Sequence, residues 1–177
     1  EEIMELLESV YIKERFGIDD FDFIRKTVKA AGIKFGLKGD EKDETRLVSW
    51  EYGLQRIILG ICISGEPLYD TGSEVLLPLD NCEGADTVHL IRFWNFIQVL
   101  KANISQRHQK RTVMGWSAYL CNLVETMVFE SKENEDEDYH QFIKYTEQLS
   151  LLTELEDVEI NFEVFRHSFL NILNVNK

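Results

Sequence analysis

Apolar residues along this chain recur at spacings of three and four, with no sustained two-residue alternation, and that period predicts helices. Ile3, Leu6, Leu7 and Val10 define a first helix that stops near Gly17. Asp19 or Asp20 can cap a second, because a carboxylate accepts the unpaired N–H groups of a first turn. That helix buries Phe21, Ile24, Val28 and Ala31 and ends at Gly32, a residue suited to the left-handed position after a helix. Residues 38–46 are a charged run and read as a solvated loop. A third helix begins in SWEYGLQRIILG, residues 49–60, with Trp50, Leu54, Ile57, Ile58 and Ile61 on its buried face.

Two glycines, Gly53 and Gly60, interrupt that third helix. Each costs about 1 kcal/mol relative to alanine inside a helix, so a packing reason is expected. Gly53, Ile57, Gly60 and Ser64 fall near one another on the cylinder, leaving a nearly bare face against which another helix backbone can lie.

Both prolines, Pro67 and Pro78, fall in residues 65–84, the clearest loop, where Val75-Leu76-Leu77 is the only short strand candidate. A fourth helix over about 86–103 is apolar around most of its circumference, including Phe93, Trp94 and Phe96, and is expected to be buried on nearly all sides as the hub of the core. Trp116, Leu120, Leu123, Val124 and Met127 mark a fifth helix. The acidic run 130–138 leads to a sixth, carrying Tyr139, Phe142, Ile143, Thr146, Leu149 and Leu152, where acid suits the positive end of the helix dipole. Asn161 can cap a last helix bearing Phe165, Phe169, Ile172 and Leu173. The expected fold class is all-α, about seven helices in an orthogonal or irregular bundle, and the 177 residues fit a single helical domain, 1–177.

Charge changes this picture in one place. The net charge is −13, which argues against independent nucleic-acid binding. Residues 87–124, however, contain no Asp or Glu and hold Arg92, Lys101, Arg107, Lys110 and Arg111. Four of these cations lie in KANISQRHQKR, residues 101–111, which joins the fourth and fifth helices. Such a connection can touch phosphates, an acidic partner surface or the chain's own acidic face. It also suits a plain solvated connection whose cations favour the preceding helix C-terminus. No aromatic residue lies within it, so base stacking is not expected there.

Other chemistry is missing from the pattern. Gly60 to Gly65 has the glycine spacing of a phosphate loop, but Glu66-Pro67 follows where a lysine is needed. His89, His108, His140 and His167 have no paired metal spacing, and Cys62, Cys82 and Cys121 form no C-x-x-C. Cys62 and Cys121 are expected as small core residues of a reduced, cytoplasmic protein. The one E-x-K, Glu130-Ser131-Lys132, sits beside the acidic run and is not read as a nuclease element. No residue is assigned a catalytic role, and neither a cofactor nor a metal is expected. No window of 18 apolar residues predicts a membrane span, and no basic segment followed by an apolar run opens the chain as a secretion signal. Glu1-Glu2 and Asn174-Val175-Asn176-Lys177 look unlike natural termini, so the chain is expected to be an internal piece of a longer protein.

The order of four motifs then points to a family. Arg15-Phe16-Gly17 closes the first helix; Ala31-Gly32-Ile33-Lys34-Phe35-Gly36-Leu37 follows the second; Trp50-Glu51-Tyr52-Gly53-Leu54-Gln55-Arg56 opens the third; Leu76-Leu77-Pro78-Leu79-Asp80 precedes the fourth. This resembles the gamma chains of exodeoxyribonuclease V, the RecC subunits of the bacterial RecBCD helicase–nuclease, whose pieces read R-F-G, G-I-R-W-G, W-x-F-G-L-x-R and L-P. Lys34 and Phe35 replace the arginine and tryptophan, and Tyr52 replaces the phenylalanine, which keeps charge and aromatic character. The likeness is specific over about residues 3–80 and fades to helix pattern beyond.

The resemblance implies a helical insertion similar to the 2B subdomain of superfamily 1 helicases, in a subunit that has lost its ATPase motifs. Its implied partners are the alpha and beta chains of the same complex, with DNA in the context of that complex. Its implied work is subunit contact and shaping of the DNA path in double-strand-break repair and recombination. Trp50, Gly53, Gly60 and Trp94 are expected to be structural, and Lys101, Arg107, Lys110 and Arg111 are the candidate contacts to nucleic acid or a partner.

Overall fold

The computed structural model describes residues 2–40, 42–63, 68–70, 72, 75–128, 137–150 and 158–175. Among them lie eight α-helices: α1 Glu2–Leu6, α2 Val10–Phe16, α3 Phe21–Ala30, α4 Trp50–Cys62, α5 Thr87–Gln106, α6 Val113–Met127, α7 Glu137–Ser150 and α8 Phe162–Val175. A 3-10 turn, Glu44–Val48, precedes α4. The strands β1 Tyr69–Asp70 and β2 Val75–Leu76 pair antiparallel, Tyr69 opposite Leu76 and Asp70 opposite Val75. The chain is mostly helical, as its periodicity predicts. Residues Glu1–Phe96 and Ile97–Lys177 form two compact units, and α5 contributes residues to both.

In the first unit the expected first helix is two. Ser9 adopts an extended conformation before α2 and separates it from α1. The break lets Leu7 turn fully inward while Leu6 and Val10 stay exposed, so one continuous apolar face is not what this segment builds. Gly17 ends α2 at φ 63°, a left-handed conformation that costs glycine nothing. Asp20, not Asp19, caps α3, accepting the Phe23 N–H at 2.8 Å. Gly32, φ 75°, ends it after Ala31, with the Ile33 N–H returning to the Val28 carbonyl at 3.3 Å. Ser49 caps α4: its Oγ accepts from the Tyr52 N–H at 3.3 Å and donates to the Arg46 carbonyl at 2.7 Å.

The fourth predicted helix, α5, is longer than expected and less enclosed. It runs on to Gln106, past the expected end near residue 103, so Lys101 stands well within the helix. Leu90, Phe93, Phe96 and Ile97 form a buried stripe. Val88 and Ile91 face outward, Ile91 at 52% exposure, and Trp94 is half-buried. The expectation of burial on nearly all sides fails because the neighbouring elements cover one stripe only. Phe16 packs edge-on against Phe96 with ring centroids 5.3 Å apart. Trp50 lies 6.2 Å from Phe93. Fully burying one such ring stabilises by about 1.5–3 kcal/mol, so these few residues supply much of the unit's cohesion.

In the second unit α6, α7 and α8 share an aromatic core of Trp116, Tyr119, Phe165 and Phe169, with Phe142, Tyr145 and Phe162 packed against it. Thr112 caps α6 through the Gly115 N–H at 3.1 Å, and Asn161 caps α8 through the Val164 N–H at 3.0 Å. The Trp116 indole N–H donates to the Ile160 carbonyl at 2.9 Å, which satisfies its one polar atom in an apolar setting. Cys121 is half-buried, its Sγ 3.5 Å from the Thr146 Oγ1. Cys62 is exposed at the end of α4, contrary to its expected place in the core, and Cys82 is the buried thiol. Ser64, Gly65, Glu66, Pro67, Leu152, most of the acidic run and Glu130-Ser131-Lys132 lie outside the described residues.

Candidate functional site

All four motifs lie in the first unit, and the second, third and fourth meet there. Trp50 is 7% exposed, and further along the helix Gly53 and then Gly60 present bare backbone. A Cβ on Gly53 would collide with the Ile33 side chain. A Cβ on Gly60 would collide with the Leu79 carbonyl oxygen. The occupants of these notches are thus a loop side chain and a loop backbone, not the second helix that the spacing suggested. Close approach of the chain at Gly60 is held by the Leu79 N–H, which donates to the Arg56 carbonyl at 2.9 Å.

Arg56, the last residue of its motif, closes the joint. Its Nε donates to the Leu77 carbonyl at 2.8 Å and its Nη1 to the Ala31 carbonyl at 3.1 Å. One planar side chain thereby ties α4 to the end of α3 and to the segment after β2. Lys34 N–H donates to the Val48 carbonyl at 2.9 Å and Trp50 N–H to the Gly36 carbonyl at 3.0 Å, which fixes the stretch between the second and third motifs. At the other motif, Arg92 Nη1 donates to the Gly17 carbonyl at 2.6 Å and to Asp19 at 2.7 Å. Neither arginine stands out in the sequence as a clamp. Arg56 closes the W-x-F-G-L-x-R motif within an apolar helical run, and those two features were the available signal.

The second unit holds the cationic connection, and it divides the four candidate residues. Arg111 is half-buried, with its guanidinium 5.5 Å from the Trp116 ring and 5.6 Å from Tyr119. Its Nη2 donates to the Gln106 and Gln109 side-chain carbonyls at 3.1 and 3.0 Å, while its buried Nε has no hydrogen-bond partner. Its backbone pairs with Ile160 through two hydrogen bonds of 3.1 and 2.8 Å. Arg111 is therefore spent on joining α5, α6 and the approach to α8. Arg107 is exposed, and its guanidinium lies over Phe162 at 5.2 Å from the ring centroid. Lys110 is exposed, and Lys101 is half-buried on α5. The sequence placed no aromatic residue within 101–111; the fold brings Trp116, Tyr119 and Phe162 beneath it.

Burial pushes the Tyr119 hydroxyl up, against the lowering effect of Arg107 and Arg111. Its hydroxyl donates to the Asn103 carbonyl at 3.1 Å. Burial, helped by Asp80 and Glu83, pushes the Cys82 thiol up, which keeps it protonated and unreactive. His89 is half-buried beside Phe23, its ring 6.4 Å away and its Nδ1 without a partner. Among the described residues no group of three or more His, Cys, Asp or Glu side chains is placed to hold a metal ion. No described helix is long and apolar enough to cross a membrane.

Comparison with known proteins places the sequence in a family. A model of the RecBCD enzyme subunit RecC fourth domain matches residues 1–177, through both compact units. The RecBCD enzyme subunit RecC of Haemophilus influenzae is 27% identical over 138 residues, covering 77% of this chain. That of Mycolicibacterium smegmatis is 26% identical over 121 residues, covering 65%. The chain spans 12% and 11% of the length of these two relatives. With all 177 residues matched, the chain belongs to the RecC fourth-domain family of RecBCD enzyme subunits.

Proposed function

We propose that this chain is a non-catalytic scaffold domain of a RecC, or gamma, subunit of exodeoxyribonuclease V. In that role it contacts the alpha and beta chains and shapes the DNA path during cytoplasmic double-strand-break repair and recombination. It would be a helical insertion similar to the 2B subdomain of superfamily 1 helicases, with no cofactor of its own. The observation that carries this reading is the joint around Arg56: the motif residues are engaged with one another and with backbone carbonyls, which makes a stiff support rather than a reactive centre. Exposed apolar residues such as Val88 and Ile91 on α5 offer surface for contact with protein.

The test uses the full-length subunit carrying Val88→Lys and Ile91→Lys, mixed with its partner chains. Coelution should fall several-fold, while the nuclease and unwinding rates per assembled complex stay at the wild-type level. Normal assembly with those rates abolished would assign the domain a direct part in the chemistry and end the scaffold reading. A second reading, contact with the DNA backbone through Lys101, Arg107, Lys110 and Arg111, draws support only at Arg107 and Lys110, the exposed pair.

A further inference from the structure

We propose that the outward face of the β1–β2 ribbon docks a cationic segment of a partner subunit that carries aliphatic side chains of its own. The proposal rests on reading the chain as a scaffold domain, and it names the surface and the chemistry of one of its contacts.

A strand with one face on a core and one in water alternates apolar and polar side chains, whereas a strand covered on both faces reads as an unbroken apolar run. β2 and the residue after it, Val75-Leu76-Leu77, show the second pattern. Among the described residues only one of its faces is covered. Leu76 is 2% exposed, while Val75 and Leu77 on either side of it are 55% and 47% exposed. Side chains two residues apart share a face, and Pro78 favours extended backbone at Leu77, so Val75 and Leu77 face outward together. In β1, Asp70 stands opposite Val75. Leu68, two residues before Asp70 and 61% exposed, falls on the same side. Three aliphatic side chains with one carboxylate among them thus form the outer face.

The ribbon is held where it meets α4. Arg56 Nε donates to the Leu77 carbonyl at 2.8 Å, and the Leu79 N–H donates to the Arg56 carbonyl at 2.9 Å. A partner therefore meets a surface already formed, which lowers the ordering cost of association.

Charge selects the occupant. From Ile57 to Ile91 the sequence has six acids and no lysine or arginine. Asp70, Asp80, Glu83 and Asp86 of this stretch are exposed, and among the described residues no lysine or arginine forms an ion pair with them. An apolar face in a field of one sign fits a segment of the opposite sign that brings apolar side chains. That field repels nucleic acid, and it repels a second copy of this chain, whose net charge is −13.

The experiment uses the full-length subunit and its complex. Val75→Thr combined with Leu77→Thr places polar side chains that suit a strand on the outer face. The dissociation constant for the partner subunit should rise by at least about tenfold, the equivalent of one aliphatic side chain left unburied. Asp70→Asn keeps an oxygen for the Gly72 N–H, which Asp70 accepts at 2.7 Å, and removes the charge, so it should flatten the salt dependence of that constant. In the wild-type complex a carbodiimide, which joins carboxylates to lysine amines, should link Asp70 to a partner lysine in a segment with aliphatic neighbours, mapped by mass spectrometry. An unchanged dissociation constant, or links from Asp70 that reach only its own subunit or a second copy, overturns the proposal. So does a lower melting temperature of the free subunit carrying both threonine substitutions, which would mean that the subunit covers this face itself. The Val88→Lys and Ile91→Lys protein is measured alongside. If its coelution falls while the ribbon substitutions change nothing, this surface is excluded and the scaffold reading stands.

Discussion

The two helical glycines show how much a single missing Cβ decides. At Gly60 the obstruction is the Leu79 carbonyl, a backbone atom tied by its own residue's N–H to Arg56. At Gly53 it is the Cγ1 of a half-buried isoleucine, a side-chain atom that yields only by a change at its stiff χ1. Alanine gains about 1 kcal/mol in helix propensity at either place. Overpacking costs about 1–3 kcal/mol, and at Gly60 the lost Leu79–Arg56 hydrogen bond adds about 1 kcal/mol. Gly60→Ala should therefore destabilise by about 2 kcal/mol and Gly53→Ala by clearly less, read as shifts in the urea midpoint of the purified chain. A Gly60→Ala protein more stable than the parent would contradict the close approach. The spacing alone revealed that both glycines mattered but not what filled them, because a bare helix face accepts a loop as readily as a helix.

At the scale of elements, α6 is tied to α5 by a buried tyrosine. The Tyr119 hydroxyl donates to the Asn103 carbonyl, and Asn103 in turn bonds the Val99 carbonyl and Thr126 Oγ1. Removing the hydroxyl in Tyr119→Phe should cost about 1 kcal/mol at neutral pH. The pH dependence carries a sign that can be checked. Burial raises the folded-state value of Tyr119 above the unfolded one, so the folded form holds the proton longer. The contribution is complete below the unfolded value, near 10, and declines as pH rises through it toward the raised folded value. Tyr119→Phe should thus flatten the loss of stability above about pH 10, measured by denaturant titration at several pH values. A mutant as alkali-sensitive as the parent would place the titration elsewhere. Helix periodicity located α6 in advance, yet it could not show that a helix as apolar as α5 would bury a single stripe.

For the molecule as a whole the dominant feature is its charge of −13, with the exception confined to one acid-free stretch. The field of the complete chain repels a polyanion even where Arg107 and Lys110 face outward. The isolated 177-residue chain should accordingly bind duplex DNA only weakly, even at low salt, in a filter-binding or anisotropy titration. Tight, salt-sensitive binding by the isolated chain would mean that the local cations outweigh the net field. Placed beside other cationic surfaces of a larger assembly, the same stretch would meet a different field, which is why the second reading ties DNA contact to the complex.

The number of helices among the described residues to within one, the Asn161 cap, the glycine stops at Gly17 and Gly32 and the family itself were legible in the sequence. These properties are local: the period of apolar residues, the cap before a first turn and the glycine after a last one act within a few positions of each other. Choosing between Asp19 and Asp20 as the cap already needed coordinates, because both carboxylates lie within reach and Arg92 takes one of them. The joint around Arg56 spans residues 31 to 79, and the ring beneath Arg107 comes from residue 162. Periodicity records which face of a segment avoids water, not which distant segment covers it. That pairing is settled only when chain-remote side chains compete for the same space, so the clamps and the filled notches belong to the tertiary structure.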